Sequence, residues 1–559
     1  MEGVELSSSI PYIFVSGGVL SGLGKGVATA ALGLLLKSRG YKVTIVKCEN
    51  YLNIDAGLIN PIEHGDPFLC EDGTEADMDL GTYEKFLNQN ITKNNFITMG
   101  QVYQTVINRE RNFEYKGEDV EAIPYVTDEI IDRIVAAGVA EQAEIVLVEL
   151  GGTAGEYQNA LYYEASRIMK IARDLTTVHV HVGYLPVPKH IGEPKTKPTQ
   201  LSVKLLNAMG IQPDFILARS PIRMDQRRRE RFALFCNVKA EHIIDAPDVD
   251  SVYEVPLIFH EQGFDQKILK VLNLEEKPID LTEWTAYVEK SQKANRPTIK
   301  IGIVGKYFAT GDFDLRDSYA ALYDALDHAA TQAEIRLEVV GINSEKEEGL
   351  TGEALKNVDG LIVPIGWGPR GVEGKIKAIQ FARENKIPYL GLCYGMQLAV
   401  VEYARHVLGW ADANTQEVDD KRTHQVIHII PEQKRNLENR AYGGTMRLGA
   451  WECVVKPGTI AWQAYTDGRQ FVDEAKGITS ERHRHRYEFN EEYLKPLEEA
   501  GIVISGRSVK ENLVELIELP KEQHPFFVGT QGHPEYKSRP MRPHPLFSAF
   551  IQACAKRKQ

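Results

Sequence analysis

The sequence predicts an α/β protein composed of two doubly wound domains that are joined by a linker. Apolar runs rich in β-branched residues alternate with helix-like stretches along the chain, which is typical of buried parallel strands covered by helices. Two of these runs lead directly into sharp glycine-rich turns, one in each half of the chain. At 559 residues the chain is long enough for several domains with full cores.

The N-terminal half is predicted to form the first parallel sheet. The longest apolar run, Val27–Leu36, follows the first glycine-rich turn and is predicted to be a buried helix. At about ten residues it is too short to span a bilayer. The predicted strands of this half are Tyr12–Val15, Lys42–Val46, Glu144–Val148, Val178–Val182 and Asp214–Ala218.

A polar stretch flanked by proline, Glu275–Pro297, separates the two halves and contains a helix-like segment, Leu281–Lys290. We therefore predict a first domain at residues 1–274, a linker at 275–297 and a second domain at 298–559. Several short strands are expected between about residues 426 and 528. The earlier strands predicted for the second domain are Ile299–Val304, Leu337–Gly341, Gly360–Pro364 and Tyr389–Leu392.

Charge and cysteine content narrow the class of protein. The formal net charge of −13 argues against general binding to nucleic acid or to anionic membranes, because both require a basic surface. The six cysteines include no CxxC pair, so neither a disulfide framework nor a zinc site is expected. The N-terminus lacks the basic and apolar regions of a signal peptide. A reducing cytoplasm is the expected location.

The first glycine-rich turn, Ser16–Gly26, is predicted to hold phosphates. Backbone amides of such a turn at a helix N-terminus form an anion cradle, and Lys25 adds a positive charge. The turn departs from the GxxxxGK[ST] pattern, which would place glycine at Val19 and a hydroxyl residue at Gly26. The hydroxyl that normally binds Mg²⁺ is therefore missing. The alternative is a tight turn without a ligand.

Carboxylates are expected to replace the missing hydroxyl, because Mg²⁺ requires oxygen ligands. Glu149 ends a predicted strand and precedes Gly151 and Gly152, at the edge of the sheet where ligands bind in such folds. Asp79 lies in an acidic segment that begins at Glu71, although a solvated acidic loop is an alternative for this residue. Asp79 and Glu149 are the candidate metal ligands.

The second glycine-rich turn, Gly391–Gly395, has the G-x-C-x-G pattern of a nucleophile elbow around Cys393. A helix predicted to begin near Met396 directs its amides at the sulfur, which favours the thiolate and forms part of an oxyanion hole. His533 is the candidate base and Glu535 the residue that orients it. The alternative for a lone cysteine is a structural role in the core.

The sequence resembles the CTP synthase family along nearly its whole length. The similarity is carried by several specific motifs in a fixed order. These motifs are Gly17–Val19 with Leu23–Gly26, Glu71–Gly73 with Asp79–Gly81, Glu149–Thr153, Lys195–Gln200, Leu234–Val238, Gly443–Gly449 and Arg482–Glu488.

The resemblance implies a P-loop-like amidoligase (synthetase) domain followed by a class I glutamine amidotransferase domain. It also implies a ligase reaction, in which ATP phosphorylates O4 of UTP and ammonia from glutamine then displaces the phosphate to give CTP. The ammonia would pass between the domains through an internal tunnel, for which His64 matches a proposed gate. Mg²⁺ would be the cofactor and ATP the co-substrate.

Matching motif positions assign residues to the synthetase site. Lys25 and Lys47 would stabilise the transferring phosphoryl group. The positions that match the ATP and metal site are Gly22, Leu23, Gly24, Lys25, Gly26, Val27, Asp79, Arg219, Pro247, Asp248 and Val249. The positions that match the UTP and CTP site are Ser21, Glu156, Tyr157, Gln158, Lys195, Thr196, Lys197, Pro198, Thr199, Gln200 and Arg231.

The glutaminase site is assigned in the same way. Cys393 would attack the glutamine amide, and Gly366 would offer an oxyanion amide. The positions that match the glutamine site are Gly366, Tyr394, Gly395, Met396, Gln397, Glu417 and Arg486. This chain departs from the family at several positions, which include Gly532 in place of phenylalanine and Gln158 in place of glutamate.

The resemblance further implies GTP as allosteric activator, CTP as feedback inhibitor and a homotetramer that can form filaments. Neither nucleic acid nor a membrane is an expected partner. Two other functions remain open on the residues alone. One is another glutamine-dependent amidoligase, such as a cobyrinic acid amidase, which has no use for the Lys195–Gln200 motif. The other is a non-catalytic nucleotide-binding filament protein, which has no use for Cys393 and His533.

Overall fold

The structure, a computed structural model, describes residues 10–61, 65–190, 192–306, 308, 316–346 and 355–558. His64 lies outside the described residues. The chain divides into two compact units. Unit 1 comprises the residues up to Asp55 together with Asp79–Val288, and unit 2 comprises Ala56–Met78 together with the residues from Glu289 onward.

The described part of unit 1 is built on a seven-stranded parallel sheet with the order β5-β2-β6-β1-β7-β8-β9. The five predicted strands are confirmed, each continuing one or more residues further in the C-terminal direction. The strands are β1 Tyr12–Gly18, β2 Val43–Glu49, β5 Phe96–Thr98, β6 Ile145–Leu150, β7 Thr177–Tyr184, β8 Phe215–Ser220 and β9 Ile243–Pro247.

Two strands of this sheet, β5 and β9, were not predicted, and both lie at its edges. β5 is only three residues long, too short for a pattern, and β9 contains Asp245 and Pro247. The predicted helices are confirmed as α1 and α10. The helices up to the end of this unit are α1 Lys25–Ser38, α2 Met78–Leu87, α3 Met99–Arg111, α4 Thr127–Ala140, α5 Ala160–Ile171, α6 Lys197–Ala208, α7 Gln226–Cys236, α8 Val255–Glu261, α9 Phe264–Val271 and α10 Thr282–Gln292.

Unit 2 contains, among its described residues, a nine-stranded sheet with the order β11-β10-β12-β13-β21-β20-β19-β16-β17. In this order, the first five strands, β11 to β21, pair in parallel with their neighbours. The remaining pairs, β21-β20, β20-β19, β19-β16 and β16-β17, are antiparallel. These strands are β10 Thr298–Gly305, β11 Arg336–Asn343, β12 Gly360–Val363, β13 Tyr389–Leu392, β16 Arg447–Val455, β17 Ile478–His485, β19 Val503–Ser508, β20 Val514–Glu518 and β21 Phe527–Thr530.

Two small sheets complete the described strands of unit 2. One has the order β14-β15-β18, and the other is the β3-β4 hairpin. Their strands are β3 Phe68–Leu69, β4 Glu75–Ala76, β14 Asn414–Thr415, β15 Gln425–Ile429 and β18 Tyr487–Phe489. The helices are α11 Ala320–Gln332, α12 Val372–Glu384, α13 Tyr394–His406, α14 Pro431–Glu438, α15 Ile460–Gly468, α16 Leu494–Glu499 and α17 Pro545–Lys558.

Successive residues of the central strands of unit 2 enter two different cores, because side chains alternate between the faces of a strand. Leu361 and Val363 pack in one core, whereas Ile362 between them packs in the other. Both faces of the parallel part of the sheet are therefore covered, as predicted. Within the described residues, the helices lack the combination of length and apolar character needed to cross a membrane.

Candidate active sites

The cysteine of the second glycine-rich turn sits in a strained elbow between β13 and α13. Cys393 has φ 49° and ψ −100° and is 2% exposed. Such a conformation costs about 1–3 kcal/mol and persists only where the surroundings enforce it. A Cβ at Gly395 would lie 2.0 Å from the Val363 carbonyl oxygen, so glycine is required there. The predicted helix start near Met396 was wrong by two residues, since α13 begins at Tyr394, directly after the thiol.

The parallel pairing of β13 with β21 brings the predicted base to the elbow. The Cys393 amide donates to the Thr530 carbonyl at 2.7 Å, and His533 follows three residues later. Nδ1 of His533 lies 2.8 Å from Oε1 of Glu535, and both residues are buried. Nε2 of His533 has no hydrogen-bond partner among the described residues. This nitrogen is therefore the one left for proton transfer.

The electrostatic surroundings of His533 favour its protonated form. Burial lowers the pKa of His533, but the negative charges of Glu535 and Cys393 outweigh burial and raise it to about 10. A cationic imidazole beside the cysteine suits a thiolate–imidazolium pair. The arrangement has the order of nucleophile, base and orienting carboxylate that defines a catalytic triad.

The loop after β12 faces the elbow and is held by buried side chains. Oε1 of Glu417 accepts a hydrogen bond from the Gly368 amide at 2.7 Å, and the Tyr394 hydroxyl donates to the Gly368 carbonyl at 3.2 Å. Nζ of Lys375 donates to the Pro364 carbonyl at 3.2 Å. A Cβ at Gly366 would lie 2.8 Å from the same Nζ. Gly366, the predicted oxyanion glycine, therefore lies between two residues, Pro364 and Gly368, whose backbones are held by hydrogen bonds.

Burial shifts the pKa of two of these loop-supporting residues. Burial raises the pKa of Glu417, although the Gly368 amide and the nearby lysines oppose it. Burial, followed by repulsion from Lys306, lowers the pKa of Lys375 to about 7, although the charge of Cys393 opposes this change. Sequence reasoning missed Lys375, because a lysine on a helix usually reads as a solvated residue.

The remaining predicted glutamine positions lie close to the elbow. Gln397 donates to the Tyr487 carbonyl at 2.9 Å, and its own Oε1 is buried without a partner among the described residues. The Arg484 carbonyl lies 3.9 Å from the Cys393 sulfur, and the Tyr487 carbonyl contacts Gln397. Arg486 lies between Arg484 and Tyr487 in the sequence, so its backbone is close to the Cys393 elbow. Arg486 donates to Gln433, Tyr442 and Thr445. The side chain of Met396 is fully buried in the core, so only its backbone is available to a ligand.

Gly532 precedes the predicted base, at the position where the family resemblance leads one to expect phenylalanine. A Cβ there would lie 2.8 Å from the Cβ of Glu481 and 3.4 Å from Nε2 of His483. Glu481 is itself held by the Tyr465 hydroxyl at 2.7 Å and by Nε2 of His544 at 2.9 Å. The space of the usual aromatic side chain is therefore occupied.

We expect Gly532→Ala to destabilise unit 2 by about 1–3 kcal/mol, because Glu481 is fixed and cannot move away from the added methyl group. Urea unfolding, followed by a probe in unit 2, measures the effect. Gly443→Ala is the matched control, since a Cβ there would lie at an ordinary contact distance of 3.5 Å from Leu58. Equal unfolding midpoints for the two variants would contradict the prediction.

The glycine-rich turn of unit 1 runs from β1 to α1. Gly22 and Gly24 have φ of 72° and 81°, where glycine is favoured, and a Cβ at either would meet nothing within 4 Å. Backbone conformation rather than space therefore demands these glycines. Gly24 caps α1 without a side-chain hydrogen bond, so the first amides of the helix remain open to an anion.

Lys25 lies at the start of α1 and donates to the Gly152 carbonyl at 2.9 Å. Burial lowers the pKa of Lys25 below its usual value, although the charge of Glu149 opposes this change. The turn, the lysine and the end of β6 are thus in contact, as the phosphate-site prediction requires.

The two predicted metal ligands are brought together by one lysine. Nζ of Lys47 forms ion pairs with Asp79, with Glu149 at 2.8 Å and with Glu49 at 3.1 Å. Burial lowers the pKa of Lys47, but the three carboxylates outweigh burial and hold the pKa well above its usual value. Tyr83 donates to Glu149 through its hydroxyl. Sequence reasoning missed Glu49 and Tyr83.

The position of Asp79 fits the prediction that a carboxylate replaces the missing hydroxyl. A Cβ at Gly26 would lie 2.1 Å from Oδ1 of Asp79, so the carboxylate occupies the space where a serine or threonine side chain would be. Within the described residues, no cluster of three or more His, Cys, Asp or Glu side chains is arranged to hold a metal ion. Mg²⁺ commonly uses one or two carboxylates and takes its other ligands from water and phosphate. Asp79 and Glu149 fit such a site.

We expect Gly26→Ser to abolish the synthetase activity predicted for unit 1 rather than to supply a metal ligand. The added side chain would collide with the Asp79 carboxylate and push it away from Lys47. Ammonia-dependent product formation measures the loss, and the glutamine hydrolysis predicted for unit 2 is the internal control. Full ammonia-dependent activity in this variant would contradict the position assigned to Asp79.

An apolar pocket beside the turn collects most of the predicted ATP positions. Arg219 at its rim pairs with Asp248 at 2.8 Å. Its apolar walls include Val182, Ile258 and Phe259, which suit a flat aromatic base. The predicted residues that line it are Gly22, Leu23, Gly24, Val27, Arg219, Pro247 and Val249.

The predicted UTP and CTP positions fall on separate segments of unit 1 and bond mainly to their own neighbours. Glu156 accepts from the Thr153 amide at 3.1 Å, and Tyr157 beside it is 93% exposed. Lys195 pairs with Glu193 at 2.6 Å. The Thr199 hydroxyl is buried on the Tyr184 carbonyl at 2.8 Å.

The other predicted positions of the UTP and CTP site also contact mainly residues that are near them in the sequence. Gln200 donates to the Thr196 hydroxyl at 3.0 Å, and Lys197 and Pro198 form the first turn of α6. Arg231 on α7 lies over the Phe235 ring at 5.9 Å. The assignment of these positions to one pyrimidine-nucleotide site stays a prediction.

A parallel sheet with a glycine-rich anion turn in unit 1, and a cysteine elbow beside a His–Glu pair in unit 2, define the class of protein. It is a synthetase joined to a class I glutamine amidotransferase. The family model "CTP synthase N-terminus" matches residues 11–274, and "Glutamine amidotransferase class-I" matches residues 314–553.

Similar proteins identify the family. The CTP synthase of Caldanaerobacter subterraneus subsp. tengcongensis is 47% identical over 97% of this chain and 98% of its own length. The CTP synthase of Pyrococcus furiosus is 46% identical over 98% of both chains. The solved glutaminase domain of Trypanosoma brucei CTPS with bound acivicin is 36% identical, has a TM-score of 0.40 and covers 46% of this chain and 94% of that one. The chain belongs to the CTP synthase family.

Proposed function

We propose that this enzyme is a ligase that aminates UTP to CTP with ATP and with ammonia released from glutamine. The observation that carries the proposal is the buried Cys393 elbow beside the His533–Glu535 pair, in a chain that matches a CTP synthase over 97% of its residues. Such a site has no use in a non-catalytic filament protein. A different amidoligase is disfavoured by 47% identity to a CTP synthase over nearly the whole chain.

In unit 2, the Cys393 thiolate attacks the side-chain amide carbon of glutamine. The amides of Gly366 and Tyr394 receive the negative charge that develops on the carbonyl oxygen. His533 donates its proton to the leaving nitrogen, the C–N bond of the tetrahedral intermediate breaks, and ammonia departs to leave a thioester on Cys393. His533 then accepts a proton from water, which attacks the thioester and releases glutamate and the free thiolate.

In unit 1, ATP transfers its γ-phosphoryl group to O4 of UTP, and ammonia then displaces phosphate at C4. The amides of the turn at 22–27 bind the ATP phosphates, while Lys25 and Lys47 offset the charge of the transferring group. Asp79 and Glu149 would hold Mg²⁺, which would offset negative charge on the phosphate groups. The apolar pocket beside Arg219 takes the adenine ring.

The assignments of regulators, oligomeric state, location and individual ligand contacts rest on membership of the family and on the net charge of the chain. GTP is the allosteric activator, CTP is the feedback inhibitor, and the active form is a cytoplasmic homotetramer that can form filaments. The pyrimidine nucleotide uses the positions from Ser21 to Arg231 named above, and glutamine uses Gln397, Glu417 and Arg486. The domain limits at 274 and 298 stay a prediction.

One assay tests the proposal. The purified protein is mixed with UTP, ATP, Mg²⁺ and glutamine, and the absorbance change of CTP formation is followed. CTP that appears only when both nucleotides are present supports the proposal. Absence of CTP with glutamine and with ammonia, from a protein that still hydrolyses glutamine, would favour a different amidoligase.

We expect Gln158→Glu to strengthen inhibition by CTP about fivefold, because a charged acceptor for the ribose hydroxyls binds more strongly than a neutral amide. Gln158 lies exposed in the 157–159 turn, where its change disturbs no packing. Inhibition constants for CTP and the KM for UTP are measured together. An unchanged CTP inhibition, or an equal shift for UTP, would contradict the ribose contact.

A further inference from the structure

Three buried side chains in unit 2 form a chain of hydrogen bonds that ends on the nucleophile. Nε2 of Gln397 donates to the Tyr487 carbonyl at 2.9 Å and to Oε1 of Gln531 at 3.2 Å. Nε2 of Gln531 in turn donates to the sulfur of Cys393 at 3.5 Å. The three side chains are no more than 2% exposed. The sequence motifs assigned no role to Gln531.

The direction of this chain is fixed by the Tyr487 carbonyl, which can only accept a hydrogen bond. It must face the amide nitrogen of Gln397 and not its oxygen. The same nitrogen also faces one end of the Gln531 amide, and that end must therefore be the oxygen. The nitrogen of Gln531 is consequently the end that points at the sulfur. An N–H group favours a thiolate over a thiol, because the anion is the stronger acceptor.

We propose that Gln531 is the hydrogen-bond donor that stabilises the Cys393 thiolate, and that Gln397 holds the Gln531 amide in the donating orientation. The inference rests on the proposed role of Cys393 as nucleophile and adds a residue to that site. The backbone of Gln531 is also anchored, since its main-chain N–H donates to the Glu515 carbonyl at 2.8 Å. Its side chain is therefore held from two sides.

Charged groups also face the thiol from the elements packed around it. His533 and Glu535 come from the segment after β21, and Lys375 comes from α12, with Lys306 and Glu417 beside it. β17 presents the backbone carbonyl of Arg484 at 3.9 Å from the sulfur, and its His483 and His485 interact electrostatically with His533. These groups act through their charge. Gln531 differs from them because its contact is a direct and neutral hydrogen bond.

The test is the pH dependence of Cys393 alkylation by iodoacetamide in the full-length protein, with the modified peptide quantified by mass spectrometry. We expect Gln531→Met to raise the apparent pKa of alkylation by about one unit. Gln531→Glu, which is nearly isosteric, is expected to raise it further because a carboxylate repels the thiolate. In both variants, the kcat for glutamine hydrolysis falls at neutral pH and recovers at higher pH, while the KM for glutamine changes little.

Gln332→Met is the matched control. This residue also donates a hydrogen bond inside unit 2, to the Pro540 carbonyl at 2.9 Å, and it belongs to α11, away from the elbow. An alkylation profile of Gln531→Met or Gln531→Glu that matches the control would overturn the proposal. If Gln531→Met does not fold, judged by urea unfolding followed by a probe in unit 2, the Gln531→Glu profile alone decides.

The same experiment separates this inference from the proposed function. Unchanged alkylation in the Gln531 variants, together with loss of glutamine hydrolysis in Cys393→Ala, would reject only the role of Gln531. Glutamine hydrolysis that survives in Cys393→Ala would instead reject the proposed nucleophile, whatever the alkylation profile.

Discussion

Cys393→Ala is expected to reduce glutamine-dependent CTP formation by roughly 10³-fold or more, because the nucleophile of the hydrolysis is lost. CTP formation from added ammonia should remain close to that of the unmodified enzyme, because the thiol acts only in ammonia release. The structure supports this separation, since Cys393 belongs to unit 2 and the phosphate turn belongs to unit 1. Both rates are measured by the absorbance change of CTP formation.

Cys453→Ala is the matched control for this experiment. Cys453 is also 2% exposed in unit 2, but it lies on β16 and packs in the core, so the same atom is removed without touching the elbow. We expect both activities to survive in this variant. Loss of ammonia-dependent activity in a folded Cys393→Ala protein would show that the two sites cannot be separated in this way.

The central parallel strands of both units could be predicted because they are apolar and carry β-branched residues, whereas the edge strands β5 and β9 of unit 1 could not. The antiparallel part of the unit 2 sheet was harder to predict. β17 consists mainly of polar residues, yet it is buried, and Arg482 within it is fully buried. A run of arginine and histidine gives no strand signal, since its burial depends on partners that are distant in the sequence. Arg482, for example, pairs with Glu71 at 2.9 Å.

The residues of the candidate sites also divide into those with a local sequence signal and those without one. Cys393 and Lys25 could be singled out because each lies in a glycine-rich turn, where the local sequence itself indicates a nucleophile elbow or an anion cradle. Gln531 and Lys375 carry no such local signal, since each acts through atoms that the fold brings close. Asp79 was an intermediate case. Its chemistry was inferred from the missing hydroxyl at Gly26, but only the structure places its carboxylate in that space.

We expect Asp79→Asn and Glu149→Gln each to raise the Mg²⁺ requirement of CTP formation by about 10- to 100-fold and to lower the maximal rate strongly. Each change keeps the shape of the side chain but removes the negative charge that a hard cation requires. Both carboxylates contact Nζ of Lys47, so both lie where a cation is already stabilised. Glutamine hydrolysis should survive in part, because its thiol belongs to the other unit. The Mg²⁺ dependence of ammonia-driven CTP formation measures the effect.

Glu49→Gln is the control that distinguishes metal binding from a general loss of charge. Glu49 also pairs with Lys47, at 3.1 Å, but its other carboxylate oxygen lies 2.9 Å from the place of a Cβ at Gly151, whereas Asp79 lies 2.1 Å from the place of a Cβ at Gly26 in the phosphate turn. If Asp79 and Glu149 bind the metal, Glu49→Gln leaves the Mg²⁺ requirement near that of the unmodified enzyme. If the three variants behave alike, the carboxylates serve Lys47 and the metal assignment is wrong. A normal Mg²⁺ requirement in both Asp79→Asn and Glu149→Gln would reject it equally.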